Sequence, residues 1–94
     1  MSMAEVKMER IDGWWEWFEF FVPMELATEQ QADAFVEKLK NLSGVEYNDS
    51  EMDEDGYHYY LFMYWRKDHE VERMKQQVID LWNDFIKEVN HVTE

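Results

Sequence analysis

The sequence predicts one α+β domain, a four-stranded antiparallel sheet with two helices on one of its faces. Two Asp-Gly pairs, Asp12-Gly13 and Asp55-Gly56, each lie between β-prone segments, and each pair of segments is followed by helical periodicity. The 94 residues fit a single domain. The predicted element order is therefore ββαββα. If the weak first strand of either hairpin does not form, a βαββα half-ferredoxin-like arrangement is the alternative.

Both hairpins are predicted from the segments around the Asp-Gly pairs. Residues 5–10 alternate between polar and apolar side chains, and residues 14–22 are strongly aromatic before Pro23 ends them. In the second hairpin, residues 57–65 are equally β-prone, whereas residues 45–52 are polar and give a weaker strand signal. Asp-Gly between strands is typical of a type I′ turn, in which both central residues need positive φ.

Each helix is predicted from apolar spacing and from residues that suit its ends. Thr28 and Gln31 form a capping-box pattern before the first helix, and Ser43-Gly44 is a plausible end for it. Asp68 is the predicted N-cap of the second helix. The apolar positions of the first helix are Ala32, Phe35, Val36, Leu39 and Leu42, and those of the second are Val71, Met74, Val78, Ile79, Trp82, Phe85, Ile86 and Val89.

The two halves of the sequence also align with each other. A shift of about 43 positions superimposes the glycines of the two turns, and it carries Phe35 onto Val78 and Leu39 onto Trp82. One interpretation is a ββα unit used twice. The other is that any two ββα segments would align about as well.

An aromatic surface is predicted on the sheet face that the helices leave uncovered. Strand alternation gives that face Trp15, Trp17, Phe21, His58, Tyr60, Phe62 and Tyr64. Large exposed apolar patches mark interfaces, and Tyr and Trp are enriched at interface hot spots. We predict a homodimer packed sheet to sheet. The alternatives are a foreign partner on this face and a core completed by loops and the N-terminal segment.

The formal net charge of −13 restricts the classes of partner. Such a surface repels nucleic acid and anionic membranes, and it attracts basic protein surfaces in a salt-sensitive way. We therefore expect neither direct nucleic-acid binding nor membrane binding. The absence of Cys, of a signal-peptide pattern and of a long apolar run favours a cytoplasmic protein.

The acidic residues of the predicted helices fall on a four-residue grid. The set consists of Glu25, Glu29, Asp33 and Glu37 in and before the first helix, and of Asp68, Glu72, Asp80, Asp84 and Glu88 in the second. Four helical residues rise about 6 Å, close to the spacing of phosphates along a DNA strand. These carboxylate ladders indicate a nucleic-acid mimic, with Asp49, Glu51, Asp53, Glu54 and Asp55 adding negative potential. The alternative is a solvated helix face, since Lys and Arg residues interrupt both ladders.

Nothing in the sequence indicates an enzyme. An EF-hand aligned on the loop at residues 51–56 would place Phe62 where a bidentate Glu is required. The three histidines are scattered and lack the spacing of a zinc helix. Cys is absent, and the few Ser and Thr residues fall in termini, turns or caps. We predict no catalytic residue, no metal and no cofactor.

Two aromatic runs carry a resemblance to a class of viral proteins. The runs YLFMYWRK at residues 60–67 and WWEWFE at residues 14–19 resemble strands of an archaeal-virus anti-CRISPR protein. With its acidity and small size, the chain is similar to viral anti-CRISPR and anti-restriction DNA-mimic proteins. This resemblance implies an inhibitor, acting in the host cytoplasm, that occupies the nucleic-acid-binding surface of a defence or processing complex. The alternatives are a housekeeping homodimer with a ligand-binding or regulatory role and an immunity protein against a basic toxin.

Overall fold

The computed structural model describes residues 5–11, 16–63 and 67–92, without the side chains of residues 68 and 90–92. Its elements follow the predicted order ββαββα. They are β1 (Lys7–Arg10), β2 (Trp17–Pro23), a short 3₁₀ helix (Met24–Leu26), α1 (Glu29–Lys40), β3 (Val45–Met52), β4 (Gly56–Met63) and α2 (Asp68–Val92). The predicted α+β fold is therefore confirmed, and both hairpins form within it.

The four strands make one antiparallel sheet in the order β1-β2-β4-β3. The second strand of each hairpin is thus central, and these two strands pair with each other. In that pairing Phe18 lies opposite Leu61, and these two residues are also related by the 43-residue shift. The two ββα units are therefore arranged about an approximate two-fold axis that passes through this residue pair.

Both helices pack on the face that carries Phe20. The ring of Phe20 lies 5.8 Å from that of Phe35 in α1 and 6.3 Å from that of Trp82 in α2. The Tyr59 hydroxyl donates a hydrogen bond to the carbonyl oxygen of Ala32 over 3.0 Å, which fixes α1 to the central strand. Alternation along β2 and β4 adds further residues to the core: Phe18, Val22, Tyr57, Leu61 and Met63. No charged side chain is buried among the described residues.

The ends of the helices agree with the predictions at one terminus and differ at two. The capping box is present: the Thr28 hydroxyl accepts from the Gln31 amide at 3.2 Å, and the Gln31 side chain accepts from the Thr28 amide at 2.9 Å. Helix α1 ends at Lys40, before the predicted stop, and Gly44 with φ of 85° begins the approach to β3. Helix α2 starts one residue early, because the Lys67 carbonyl accepts its first hydrogen bond.

The turn at Asp55-Gly56 is a hairpin turn, but the predicted type I′ geometry is wrong. Asp55 does not have positive φ, and the connection is a loop at 53–55 held by its first side chain. Asp53 Oδ1 accepts from the amides of Asp55 and Gly56 at 2.9 and 3.1 Å. Glycine is needed at position 56 because a Cβ there would lie 2.2 Å from the Val22 carbonyl oxygen. The other turn, Asp12-Gly13, lies outside the described residues.

Candidate protein-binding surfaces

The sheet face opposite the helices, here called the open face, carries five of the seven aromatic-surface residues predicted for it. These are Trp17, Phe21, His58, Tyr60 and Phe62, and all five are half-buried. The other two, Trp15 and Tyr64, lie outside the described residues. The half-burial of the five described residues comes from neighbouring side chains on the same face, since both helices lie on the other side of the sheet. The open face is therefore a flat aromatic strip along the two central strands.

Rings on the central strands contact each other across the open face. The Trp17 and Phe62 rings meet edge to face with centroids 5.1 Å apart, and they are direct cross-strand partners. The Phe21 and His58 rings, which are also direct cross-strand partners, lie 4.8 Å apart. Such aromatic pairs contribute about 0.5–1.5 kcal/mol beyond the area they bury. These contacts hold the strip in one arrangement without help from a partner.

His58 links three segments of the open face through both of its ring nitrogens. Its Nδ1 hydrogen-bonds Glu19 on β2, and its Nε2 lies 2.9 Å from Asp53 Oδ2 in the hairpin loop. Carboxylates only accept hydrogen bonds, so the imidazole must carry both protons to satisfy both partners. Burial lowers the pKa of His58, but the hydrogen bonds to Glu19 and Asp53 outweigh it, and that pKa is raised above its ordinary value.

The two oxygens of the Asp53 carboxylate accept hydrogen bonds from different parts of the structure. One oxygen closes the hairpin loop, and the other accepts from His58. The hydrogen bond from His58, followed by that from the Asp55 amide, lowers the pKa of Asp53 below its usual range. This carboxylate therefore does more than add negative potential, which was its predicted role.

The centre of the open face has a negative potential. Tyr60 lies between Glu19 on β2 and Asp49 on β3 in the sheet register. Burial raises the pKa of the Tyr60 hydroxyl, and the neighbouring carboxylates, led by Glu51, raise it further. A cation placed over this ring would be attracted by the carboxylates beside it and by the ring itself.

One end of the open face continues into an acidic groove of about 560 Å³. Its lining includes five carboxylates and two basic side chains, with Phe21 and Pro23 as the apolar part: Glu5, Glu9, Glu19, Glu25, Asp55, Lys7 and His58. Glu25 belongs to this groove and not to the ladder of α1. The extended backbone at Ala27 separates the short 3₁₀ helix from α1 and breaks the four-residue grid there.

The remaining ladder residues lie on the exposed outer faces of the helices. Glu29, Asp33 and Glu37 are exposed on α1, and so are Glu72, Asp80, Asp84 and Glu88 on α2. The side chain of Asp68 is outside the described residues. Within the described residues, Lys pairs with ladder acids at two places: Lys40 with Glu37 at 3.4 Å and Lys75 with Glu72 at 3.5 Å. Asp80 accepts a hydrogen bond from Gln76 at 2.9 Å.

The acids of α1 and those of the second hairpin meet along one edge of the molecule. Glu29 and Asp33 line a small depression together with Ser50 and Glu51 of β3. The predicted loop acids Asp49, Glu51, Asp53, Glu54 and Asp55 are all exposed. The structure thus brings Glu29 and Asp33 of the first ladder beside Glu51 of β3, whereas the ladder of α2 lies on the other helix.

Sequence reasoning did not select Glu19 as a functional residue. Its position on the open face follows from strand alternation, but its contact with His58 depends on the register between β2 and β4. These residues are far apart in the chain and belong to different hairpins. The available signal was weak: within residues 14–22, Glu19 is the one carboxylate that strand alternation assigns to the open face, two residues after Trp17.

Neither metal sites, membrane-spanning helices nor similarity to known proteins assigns a function to the chain. Within residues 5–11, 16–63 and 67–92, no group of three or more His, Cys, Asp or Glu residues is placed to hold a metal ion. The helices in this part of the chain include none with the length and hydrophobicity needed to cross a bilayer. The chain matches no protein-family model, no curated protein and no solved structure.

Proposed function

We propose that this protein binds the basic, nucleic-acid-contacting surface of another protein and takes the place of the nucleic acid there. The observation that carries the proposal is the placement of its carboxylates. They are exposed on the outer faces of both helices, on β3 and on the hairpin loop, and the described core holds no charged residue. The negative charge is therefore borne by a rigid folded body, as in a nucleic acid backbone.

The ladders support this proposal because they cost helix stability. Like charges four residues apart destabilise a helix by about 0.2–0.5 kcal/mol per pair. The ladder acids Glu37 and Glu72 each pair with a Lys, but both carboxylates are largely exposed, and ion pairs of this kind contribute little to stability in water. Asp84 and Glu88 have no ion-pair partner among the described residues. A sequence that needed only solubility could have alternated Glu with Lys along the same face.

The class of target follows from the same charge pattern. A groove built for phosphates presents Lys and Arg at regular intervals, and carboxylates about 6 Å apart along a helix can meet them. The proposed target is a DNA- or RNA-binding defence or processing complex, and the proposed effect is inhibition by occupancy. No catalysis, metal or cofactor is part of this proposal.

The experiment is affinity capture from a prokaryotic lysate at low salt, followed by elution with rising salt and mass spectrometry. The expected result is a nucleic-acid-binding complex that elutes at moderate salt and is displaced by added duplex DNA. Recovery of this protein alone, or of partners that DNA does not displace, would contradict the proposal. The first of these results would favour the self-contained homodimer with a small ligand.

Two charge-matched variants show whether the ladder itself is recognised. The ladder variant neutralises Asp80, Asp84 and Glu88 on α2 as Asn, Asn and Gln. The control variant neutralises Glu5, Glu16 and Glu70, each as Gln, and none of these acids belongs to a ladder or lies on the open face. Both variants change the net charge equally. We expect the ladder variant to lose the captured complex and the control to keep most of it. Equal losses would show that only net charge matters.

A further inference from the structure

We propose that the open face is a docking surface for an arginine-bearing segment of the basic partner. The inference rests on the proposed function only in taking the partner to be basic. It gives the aromatic strip a role in binding, because the carboxylate ladders on the helices do not explain why aromatic residues line the open face. The partner's contact with this face would be specific, whereas its contact with the ladders depends mainly on charge.

The geometry that supports arginine is the alternation of rings and carboxylates across the sheet. Tyr60 has Glu19 beside it on β2 and Asp49 beside it on β3. His58 has Glu51 beside it on β3 in the same register. Directly opposite residues of adjacent strands hold their Cβ atoms roughly 4.5–5.5 Å apart. A planar guanidinium lying on the Tyr60 ring is therefore within reach of a carboxylate on either side.

Arginine fits this pattern better than lysine for two physical reasons. Its guanidinium stacks flat on aromatic rings, and its fork of N–H donors matches a carboxylate with two parallel hydrogen bonds. The ammonium of lysine is a strongly hydrated point charge and gains less from a half-buried ring. The rings in question are half-buried and flat, so they offer stacking area without a deep pocket.

The charge of the open face argues against a second copy of this chain as its occupant. The described part of the face carries Glu9, Glu19, Glu46, Asp49 and Glu51, with Lys7 and His58 as its basic side chains. Packing two such faces together would bring like charges into contact, which disfavours the complex. A basic segment neutralises the same carboxylates. The sheet-to-sheet homodimer thus becomes an outcome of the test.

The test compares oligo-arginine and oligo-lysine peptides of equal length as probes for the full chain. Dissociation constants are measured by calorimetry at about 0.15 M salt, where exposed charges are well screened. Because the two peptides carry the same charge, their ratio isolates stacking and bidentate bonding. We expect oligo-arginine to bind roughly fivefold more tightly or better. NMR shift changes should concentrate on the open face.

Two variants locate the preference on the molecule. Tyr60→Leu keeps an apolar side chain but removes the ring, so it should bring the two peptides to nearly equal affinity. The matched control is the ladder variant at Asp80, Asp84 and Glu88, which should weaken both peptides alike and keep the preference. If Tyr60→Leu does not fold, as judged by its thermal transition, Tyr60→Val serves the same purpose, because it also removes the ring and its β-branched side chain suits a strand.

Three results would overturn the inference. Equal affinity of the wild type for both peptides would show that the rings of the open face do not recognise arginine. The proposed function would not be affected by this result, because capture by the ladders is measured separately. A preference for arginine that survives in both ring variants would place the site elsewhere. A stable dimer in sedimentation, with open-face NMR signals shifted by dimerisation and peptide binding blocked, would show that a second copy occupies the face.

Discussion

Protonation of His58 is predicted to stabilise the fold through its links to Glu19 and Asp53. The perturbation is a rise in pH from about 6 to about 9, measured in the wild type and in His58→Gln. The pKa of His58 is raised in the folded state, so its contribution is fully present below the unfolded value, about 6.5. The contribution is then lost as the pH rises through the folded pKa. The free energy of unfolding should therefore fall across this window.

The size of the effect follows from how far each partner is exposed. A hydrogen bond to a charged group contributes about 1.5–3 kcal/mol when it is well shielded. The side chains of His58 and Glu19 are 16% and 32% exposed, so most of the gain belongs to this pair. Asp53 is 48% exposed, and solvent screens its bond. Burial of the charged ring offsets part of this gain. We therefore expect a total loss of about 1 kcal/mol, which corresponds to a fall in Tm of roughly 4–8 °C for a domain of this size.

The assay is thermal unfolding followed by circular dichroism at several pH values. His58→Gln keeps a polar side chain that does not titrate, so its stability should change less over the same window. His69→Gln, at an exposed histidine of α2, is the matched control and should behave like the wild type. Tyr60 stays neutral here because its pKa is raised. Identical pH profiles for the wild type and His58→Gln would show that protonation of His58 does not stabilise the fold.

Three further substitutions test the fold. Gly56→Ala should destabilise by about 2–4 kcal/mol, since its Cβ would lie 2.2 Å from the Val22 carbonyl oxygen in a strained backbone region; chemical denaturation would measure it. Thr28→Ala should cost about 1 kcal/mol through loss of the cap, and Thr28→Ser should restore most of it; no difference between the two would contradict the capping role. Phe35→Ala should lower the free energy of unfolding in urea by about 3–5 kcal/mol, because Phe35 is fully buried. A smaller loss than that of Thr28→Ala would contradict the central place of Phe35 in the core.

Local chemistry was sufficient to predict most of the fold. The capping box at Thr28 and Gln31 depends on two residues three apart, and it forms as predicted. Strand alternation separated the core residues of β2 and β4 from those on the open face, because successive side chains of a strand point to opposite faces whichever strands lie beside it. The order of elements followed from the same local signals.

Interactions between distant segments could not be predicted in the same way. One local feature was also missed. The Asp53 side chain accepts from the amides of Asp55 and Gly56, so the loop forms without the positive φ expected of Asp55. A bulge between Tyr47 and Asp49 sets which acids of β3 reach the open face. The link from Glu19 to His58 exists only because β2 pairs with β4. The β3 bulge and the Glu19–His58 link are both matters of strand register, which neither propensity nor periodicity determines.

The central claim is that this protein and a nucleic acid compete for one basic surface. The most direct measurement takes the captured complex in purified form and adds labelled duplex DNA together with this protein at rising concentrations. We expect mutually exclusive binding, with no ternary complex in sedimentation and with an affinity that falls steeply as salt rises. A stable ternary complex, or an affinity that salt does not change, would contradict it.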